Sequence, residues 1–402
     1  MIDTNKIRKM FRVYDENPNL VYLDSAASAL KPDFVNKKVY DFNSFNGVNV
    51  HRGVYELSYE ATNMYEEARQ KVANFINSPF DSVVFTRGAS DALNLVALSY
   101  GMQNIKPGDE IVTSLLEHHS SHMPWFNVAK KKGAIIKYVP LDENNMITIE
   151  NFKSVLTDKT KVVAITYVSN VMGYVSPIKE IIKLAHEKNA IVSLDAAQAV
   201  PHMKIDVKDL DCDFLSFSGH KMCAPFGVGV LYGKKELLDM MEPVEFGGDM
   251  ADTVMMDNQT YKDAPYKFET GTPMVSEVIG LGYACDFLNS IGIEEIERHE
   301  NMLAFEAKRR LSQIKGVTVY NMKATTGVIA FNIDGVHPHD AASVFDKNNV
   351  CIRAGHHCAQ LITRHLGVLG TLRASFYMYN DLKDVDKLVE SAKEAVEFFG
   401  QF

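Results

Sequence analysis

Short, nearly continuous apolar runs recur through the first two thirds of the chain: 82–86, 110–114, 134–139, 162–168, 191–194, 214–217 and 228–232. Runs of this length without polar alternation predict strands covered on both faces. Between them, stretches with apolar residues at helical spacing predict helices, among them 58–75, 91–99 and 177–188. Strands alternating with helices predict a large α/β domain with a mainly parallel sheet. Past about residue 285 the pattern changes. Val317 to Tyr320 and Val328 to Ile333 read as antiparallel strands, and His339 to Lys347 and Asp384 to Phe399 as helices. The expected organisation is a large domain over residues 20–285 and a smaller α+β domain over 286–402. Residues 1–19, read as a helix and a polar turn, are expected to pack on the smaller one.

Polar residues sit where the apolar runs stop. Ile191–Leu194 ends at Asp195, and Phe214–Phe217 ends at Ser218-Gly219-His220-Lys221. Ligands of open α/β sheets bind beyond the carboxyl ends of strands, so an acid and a lysine are delivered to one crevice. A buried Asp is costly unless a cation faces it. A buried Lys tends to shed its proton and become a nucleophilic amine. Pyridoxal phosphate uses both groups, a lysine for its Schiff base and an acid for its pyridinium nitrogen; two ordinary strand-end residues are the plainer reading of the same pair. Gly88-Ala89-Ser90 joins a strand to a helix N-terminus, where free backbone N–H groups meet an anion, or where a serine simply caps. Ser169-Asn170 and Leu116-Glu117-His118-His119 follow two further strands. Adjacent strand positions face opposite ways, so at most one of the two histidines is expected in the pocket, which disfavours a metal pair. Asp24-Ser25-Ala26-Ala27-Ser28 offers small side chains to a ligand or a tight turn, and Trp125 is expected to be packing.

Composition narrows the class. The 402 residues are 46% hydrophobic with a net charge of -9, which argues against nucleic acid or an anionic membrane surface as partner. No apolar run approaches a membrane span, and the charged N-terminus has no secretory apolar core. Five cysteines form no disulfide framework and fit a reducing, cytoplasmic setting. Cys212 and Cys285 lie in apolar runs and are expected to be inert. Cys358 follows His356 and His357 in a glycine-containing loop, where positive neighbours favour thiolate. Those three as metal ligands are spaced too tightly for the usual zinc pairs. Arg373 lies on a strand and either binds a carboxylate bidentately or closes an ion pair.

These stretches carry a family resemblance. YLDSAASALKP (22–32), HRGVYELS (51–58), RGASDALNLVA (87–97), LEHHSSHMPW (116–125), VSNVMG (168–173), LDAAQAVPH (194–202), DFLSFSGHKM (213–222), FETGTP (268–273), RAGHHCA (353–359) and LRASFYMYN (372–380) span nearly the whole chain. The sequence resembles the class V aminotransferase-like, fold-type I pyridoxal phosphate enzymes. Within them it is similar to the SufS-type cysteine desulfurases, which overlap the selenocysteine lyases. The resemblance implies the fold-type I sheet of seven strands and a homodimer. It implies Lys221 as the covalent anchor of pyridoxal 5'-phosphate, Asp195 on the ring nitrogen, Gln198 on the ring hydroxyl and His118 stacked on the ring. Ala89, Ser90, Ser218 and His220 would hold the phosphate, with Gly271 and Thr272 arriving from a second subunit. Asn170 and Arg373 would hold the substrate carboxylate, Arg353 would line the site, and Cys358 would take the sulfur of L-cysteine as a persulfide. A sulfur acceptor of the SufE or SufU type and an iron–sulfur cluster scaffold are the implied partners. A selenocysteine lyase, another lyase or aminotransferase that does without Cys358, and a cofactor-free binding protein are the alternatives. The chain departs from the family's usual residues at Ala89-Ser90, Ser120-Ser121, Cys223 to Phe226, Met274 and Gln360-Leu361, which bears on substrate choice and acceptor rather than on the cofactor.

Overall fold

A computed structural model describes residues 2–400. After β1 (Val21–Tyr22), seven strands build the central sheet: β2 (Val83–Thr86), β3 (Glu110–Ser114), β4 (Ile135–Val139), β5 (Thr160–Thr166), β6 (Ile191–Asp195), β7 (Phe214–Ser218) and β8 (Gly229–Gly233). Their order across the sheet is β2-β8-β7-β6-β5-β3-β4, parallel throughout except that β8 runs antiparallel to both neighbours. All seven expected runs are strands, and the reason is visible in their packing. Alternate residues of one strand enter different cores: Val83 and Phe85 one, Val84 the other; Val163 and Ile165 one, Val162 and Ala164 the other. Both faces are covered, so neither needs a polar residue.

Gly88 and Gly229 let β8 lie against the turn after β2. A Cβ on Gly229 would come within 2.4 Å of the Gly88 Cα, so only glycine permits this approach. The helix Glu56–Phe75 is tied to the segment after the hairpin of β9 (Ala251–Val254) and β10 (Gln259–Tyr261). Buried Arg69 donates to both oxygens of Glu269 at 2.7 and 2.8 Å and to the Val83 carbonyl, while Tyr65 and the Phe85 N–H also donate to Glu269. Breaking one partner of such a buried pair costs about 3–5 kcal/mol, so the FETGTP segment is rigidly held.

The remaining strands are β11 (Val317–Val319), β12 (Val328–Ile333), β13 (Val350–Cys351), β14 (Arg353–Gly355) and β15 (Thr371–Ser375). Four of them form an antiparallel sheet in the order β11-β12-β15-β14. It packs on Leu303, Leu311, Phe345 and Leu388 from the helices Ile293–Leu311, Pro338–Lys347 and Leu382–Phe399. Asp381 caps the last helix through the N–H groups of Lys383 and Asp384, and Asp384 reaches back to the Asp381 N–H. A cap of this kind contributes about 1 kcal/mol.

Near the expected boundaries, segments pack across both units. β1 pairs in parallel with β13, and Val21 and Leu23 belong to the smaller core. The helix Val275–Ile291 runs unbroken through residue 285 and packs on the large unit. Residues 2–19 form two short helices, Thr4–Arg8 and Val13–Glu16, rather than one. Arg8 binds Asp384 and the Tyr379 carbonyl, but Ile7, Phe11 and Tyr14 sit in the large core. The N-terminus therefore clasps both units, because its polar and apolar faces find different partners.

Candidate active site

The carboxyl ends of β2, β3, β5, β6 and β7 open into one cleft, closed on its far side by β14, β15 and the loop between β14 and the helix Gln360–His365. Ala89, Ser90, His118, Asn170, Asp195, Gln198, Ser218, His220, Lys221, Arg353, Cys358 and Arg373 all line it, together with Ala26, Ala27, Ser120 and His357. Gly271 and Thr272 do not. Gly271 donates its N–H to the Gly248 carbonyl, and Thr272 is exposed near Asn49.

The floor is electrostatically primed by burial. Asp195 ends β6 and accepts the Ala197 N–H at 3.0 Å. Burial pushes its carboxyl up, and the Lys221 amine pulls it back. Lys221 sits on the single turn after β7; burial pushes its amine down to about 8 against the opposing pull of Asp195. His118 is not at a strand end, since β3 stops at Ser114. It caps the helix His119–Lys132, its Nδ1 accepting the Ser120 N–H at 3.1 Å. That bond puts the ring proton on Nε2. Burial, then the neighbouring Lys221, pushes this imidazole down to about 3, so it stays neutral. The one-histidine expectation holds for a different reason: His118 turns inward as a cap, and His119 begins the helix at the mouth.

One flank of the floor is formed by a helix N-terminus and serine hydroxyls. The helix Ala89–Val96 points its N-terminus at the cleft. The Ala89 N–H donates to Ser218 Oγ at 2.7 Å, which leaves that hydroxyl's proton free, and Ser90 Oγ meets Ser120 Oγ at 2.6 Å. The His220 ring stacks on Phe226 with centroids 5.7 Å apart; its buried Nδ1 has no partner, and burial pushes it down to about 4.

The opposite flank is cationic. Arg373 on β15 donates to the Asn170 carbonyl at 2.9 Å and to Asp24 at 3.2 Å, and its buried Nε is unpartnered. Asn170 donates to the His357 carbonyl at 2.7 Å, leaving its Oδ1 unpartnered. Arg353 on β14 reaches the other oxygen of Asp24.

Cys358 is exposed at the cleft mouth, on a loop held by specific bonds. The His119 N–H donates to its carbonyl at 2.7 Å, the Gln360 N–H donates to His119 Nε2 at 3.2 Å, and His357 Nε2 meets Thr371. His357 and Cys358 have φ of 51° and 54°. Left-handed backbone at a non-glycine residue costs about 1–2 kcal/mol, and such strain collects at functional sites. His356 and His357 turn to Thr363 and Thr371. Among the described residues no group of three or more His, Cys, Asp or Glu side chains is arranged to hold a metal ion. Cys212 and Cys285 are buried, and burial pushes Cys212 up to about 12.

Comparison with known proteins agrees with this architecture. The family model "Aminotransferase class-V" matches residues 21–388. The chain belongs to the class-V aminotransferase family. A probable cysteine desulfurase of Halalkalibacterium halodurans is 50% identical over 403 aligned positions, 99% of each chain. One from Staphylococcus aureus is 46% identical, over 99% of this chain and 98% of that one. Among solved structures, the cysteine desulfurase CsdA from Escherichia coli superposes with a TM-score of 0.93 at 38% identity, over 99% of both chains. The apo cysteine desulfurase of Thermococcus onnurineus NA1 gives 0.94 at 37%, over 99% of this chain and 98% of that one.

Within this family fold, the unusual residues have definite places. Phe226 covers His220 and carries the Lys31 ammonium 4.0 Å above its ring. Cys223 is buried and pushed by burial up to about 12, so it is not a second reactive thiol. Ser120 meets Ser90 at the helix N-terminus, and Gln360 ties the thiol loop to His119. Two polar residues escaped the sequence reading. Glu117 is buried behind His118, accepting from Ser114, Ser121 and the Thr166 N–H; burial, with Asp195 adding repulsion, pushes it up to about 8. Its signal was serines three before and four after. Asp24, read only as part of a small-residue turn, stands between two arginines that are remote in sequence.

Proposed function

We propose that this chain is a pyridoxal-phosphate-dependent cysteine desulfurase that converts L-cysteine to L-alanine and takes the sulfur on Cys358 as a persulfide. The observation that carries this reading is that Lys221, Asp195 and Cys358 line one cleft. The residues fit the cofactor. The helix N-terminus and the hydroxyls of Ser90 and Ser218 could hold an anion, the buried carboxylate of Asp195 could face a protonated ring nitrogen, and buried Gln198 Oε1 lacks a partner while its amide nitrogen holds the Ala26 carbonyl. Lys221 would anchor the cofactor, Asp195 hold its ring nitrogen protonated, Gln198 meet its hydroxyl and His118 cover its ring. Ala89, Ser90, Ser218 and His220 would hold its phosphate. When bound, pyridoxal phosphate supplies an electron sink for the substrate α-carbon.

The chain's own groups do the rest. The open Nε of Arg373 would donate to the substrate's α-carboxylate, with Arg353 beside it, and the open Oδ1 of Asn170 could accept from an N–H of the substrate. Lys221, easily neutral at its lowered pKa, takes the α-proton. Neutral His118 carries a proton on Nε2, facing the cleft, that it can give and take back. Cys358 thiolate attacks the substrate sulfur. The S–S bond forms, the carbon–sulfur bond breaks, and its electron pair leaves with the carbon skeleton, which gains protons to become alanine.

The large unit expected over 20–285 would hold the cofactor. The small unit of 286–402 with 1–19, extended by β1, would bring the thiol loop and both arginines. A homodimer is part of the reading. Gly271 and Thr272 lie outside the cleft lining, and Val254, Met255 and Met256 of the β9–β10 hairpin are exposed, apolar surface that a second copy could cover. A thiol at the mouth suits delivery of sulfur to a SufE- or SufU-type acceptor, and onward to a cluster scaffold in the cytoplasm. Alanine and sulfide formed from L-cysteine and a reductant test the reading, with wild type and Cys358→Ala side by side. Both products from wild type and neither from the variant are expected. Equal turnover by the two would replace it with a selenocysteine lyase or another lyase independent of the thiol.

A further inference from the structure

Phe226 is 66% exposed, yet its surroundings fix where it stands. Pro225 before it is clamped, since a Cβ on Gly280 of the helix Val275–Ile291 would come within 2.6 Å of the proline ring. Gly227 after it has φ of 78°, a turn conformation that favours glycine. The Lys31 ammonium lies 4.0 Å from the centroid of the Phe226 ring. Lys31 also donates to Ser28 Oγ and the Ala29 carbonyl, both at 2.7 Å, and to the His220 carbonyl at 3.3 Å. It has no carboxylate partner among the described residues. Burial pushes its amine down to about 8, so it keeps its charge at pH 7, and the aromatic face and the carbonyls meet that charge.

The same Phe226 ring stacks on His220, with the two planes 19° apart. The terminal torsion of a histidine is broad and roughly two-fold, so the side chain alone does not decide how its ring nitrogens are aimed. A parallel ring packed on one face restricts that rotation. The backbone at His220 is held too, its carbonyl accepting the Ala29 N–H at 3.0 Å besides the Lys31 ammonium. Lys31 thus grips both ends of the arrangement, the main chain of His220 and the aromatic ring that covers its imidazole.

We propose that Phe226 is a positioning residue for the cofactor: stacked on His220 and held by Lys31, it fixes the imidazole against the cofactor's phosphate. This rests on the reading that puts that phosphate at Ser90, Ser218 and His220. The alternative is an apolar cover, for which any large apolar side chain would serve. The two differ in whether the aromatic face matters, since a leucine supplies bulk but neither stacks on an imidazole nor attracts an ammonium. If Lys31 acts through Phe226, substitutions of the two are not independent.

The test is the rate at which the holoenzyme loses its cofactor on dialysis against inorganic phosphate, followed by the cofactor's absorbance. Phe226→Leu should lose it about fivefold faster or more, and Phe226→Tyr, which keeps the aromatic face, at close to the wild-type rate. Lys31→Met should also lose it faster, and Lys31→Met/Phe226→Leu by less than the product of the two single factors. If Lys31→Met fails to fold, the Phe226 variants decide the matter. Equal rates for Phe226→Leu and wild type, or for Phe226→Leu and Phe226→Tyr, overturn the proposal, as does a double variant whose factors multiply. His220→Ala separates this from the reading beneath it. Wild-type retention in His220→Ala sinks the phosphate assignment and the proposal with it, whereas faster loss there with wild-type retention in Phe226→Leu sinks the proposal alone.

Discussion

The floor of the cleft and its mouth make their reactive groups by opposite means. At the floor, Lys221, Asp195 and His118 are shifted toward their neutral forms chiefly by removal from water. At the mouth, Cys358 is exposed, and its fitness depends on where a strained loop, pinned by His119, Asn170 and Thr371, aims it. Proton chemistry profits from a dry site, since a poised amine needs a lowered pKa. The sulfur transfer proposed for Cys358 needs access, which its exposure at the mouth gives. The difference teaches that one pocket can house two solvent regimes when separate units supply them.

The comparison breaks most sharply at Lys221. Lys221→Ala should lose alanine production by at least about 10²–10⁴-fold, the range of a positioned proton-transfer group, as measured by amino-acid analysis with L-cysteine. Cys358→Ala should reduce turnover to background while cofactor absorbance stays intact, because the floor does not lean on the mouth. His118→Gln should slow alanine formation by about 10²-fold, with the loss in kcat rather than in cofactor content.

A pH experiment sharpens the burial argument for the floor. The Lys221 amine moves from 10.5 when unfolded to about 8 in the fold. Below pH 8 both states hold the proton, and the fold carries the full cost of a buried cation. Between pH 8 and 10.5 the unfolded chain holds a proton that the native one has released, so stability rises with pH. Cofactor-free Lys221→Met should therefore be more stable than cofactor-free wild type below pH 8, with the gap closing toward pH 10.5 in denaturant titrations. A constant gap would mean that Lys221 is not desolvated. The smallest effect belongs to the mouth: His119→Ala removes the acceptor of the Gln360 N–H, worth about 1 kcal/mol or a factor of about five. It should slow persulfide formation on Cys358 by that factor while leaving cofactor binding unchanged.

The sequence by itself determined the sheet and most of the floor. The seven runs read as strands because they are short and mostly apolar with no regular polar alternation, and strand ends in such a sheet are where Asp195, Asn170, Ser218 and Lys221 emerge. Local pattern and local structure coincide there. The motifs GHHCA and SGHK also marked Cys358 and Lys221 as candidates for one site. Only the tertiary structure decided the rest. The clasp of Arg8 and Phe11 across two units, the pinning of the Cys358 loop by His119, and the wedge of Asp24 between Arg353 and Arg373 all join residues far apart in the chain. Asp24 and Arg373 are separated by 349 positions. Periodicity reports which face a residue shows to its neighbours on one element. It carries no information about which charge from another element will stand opposite.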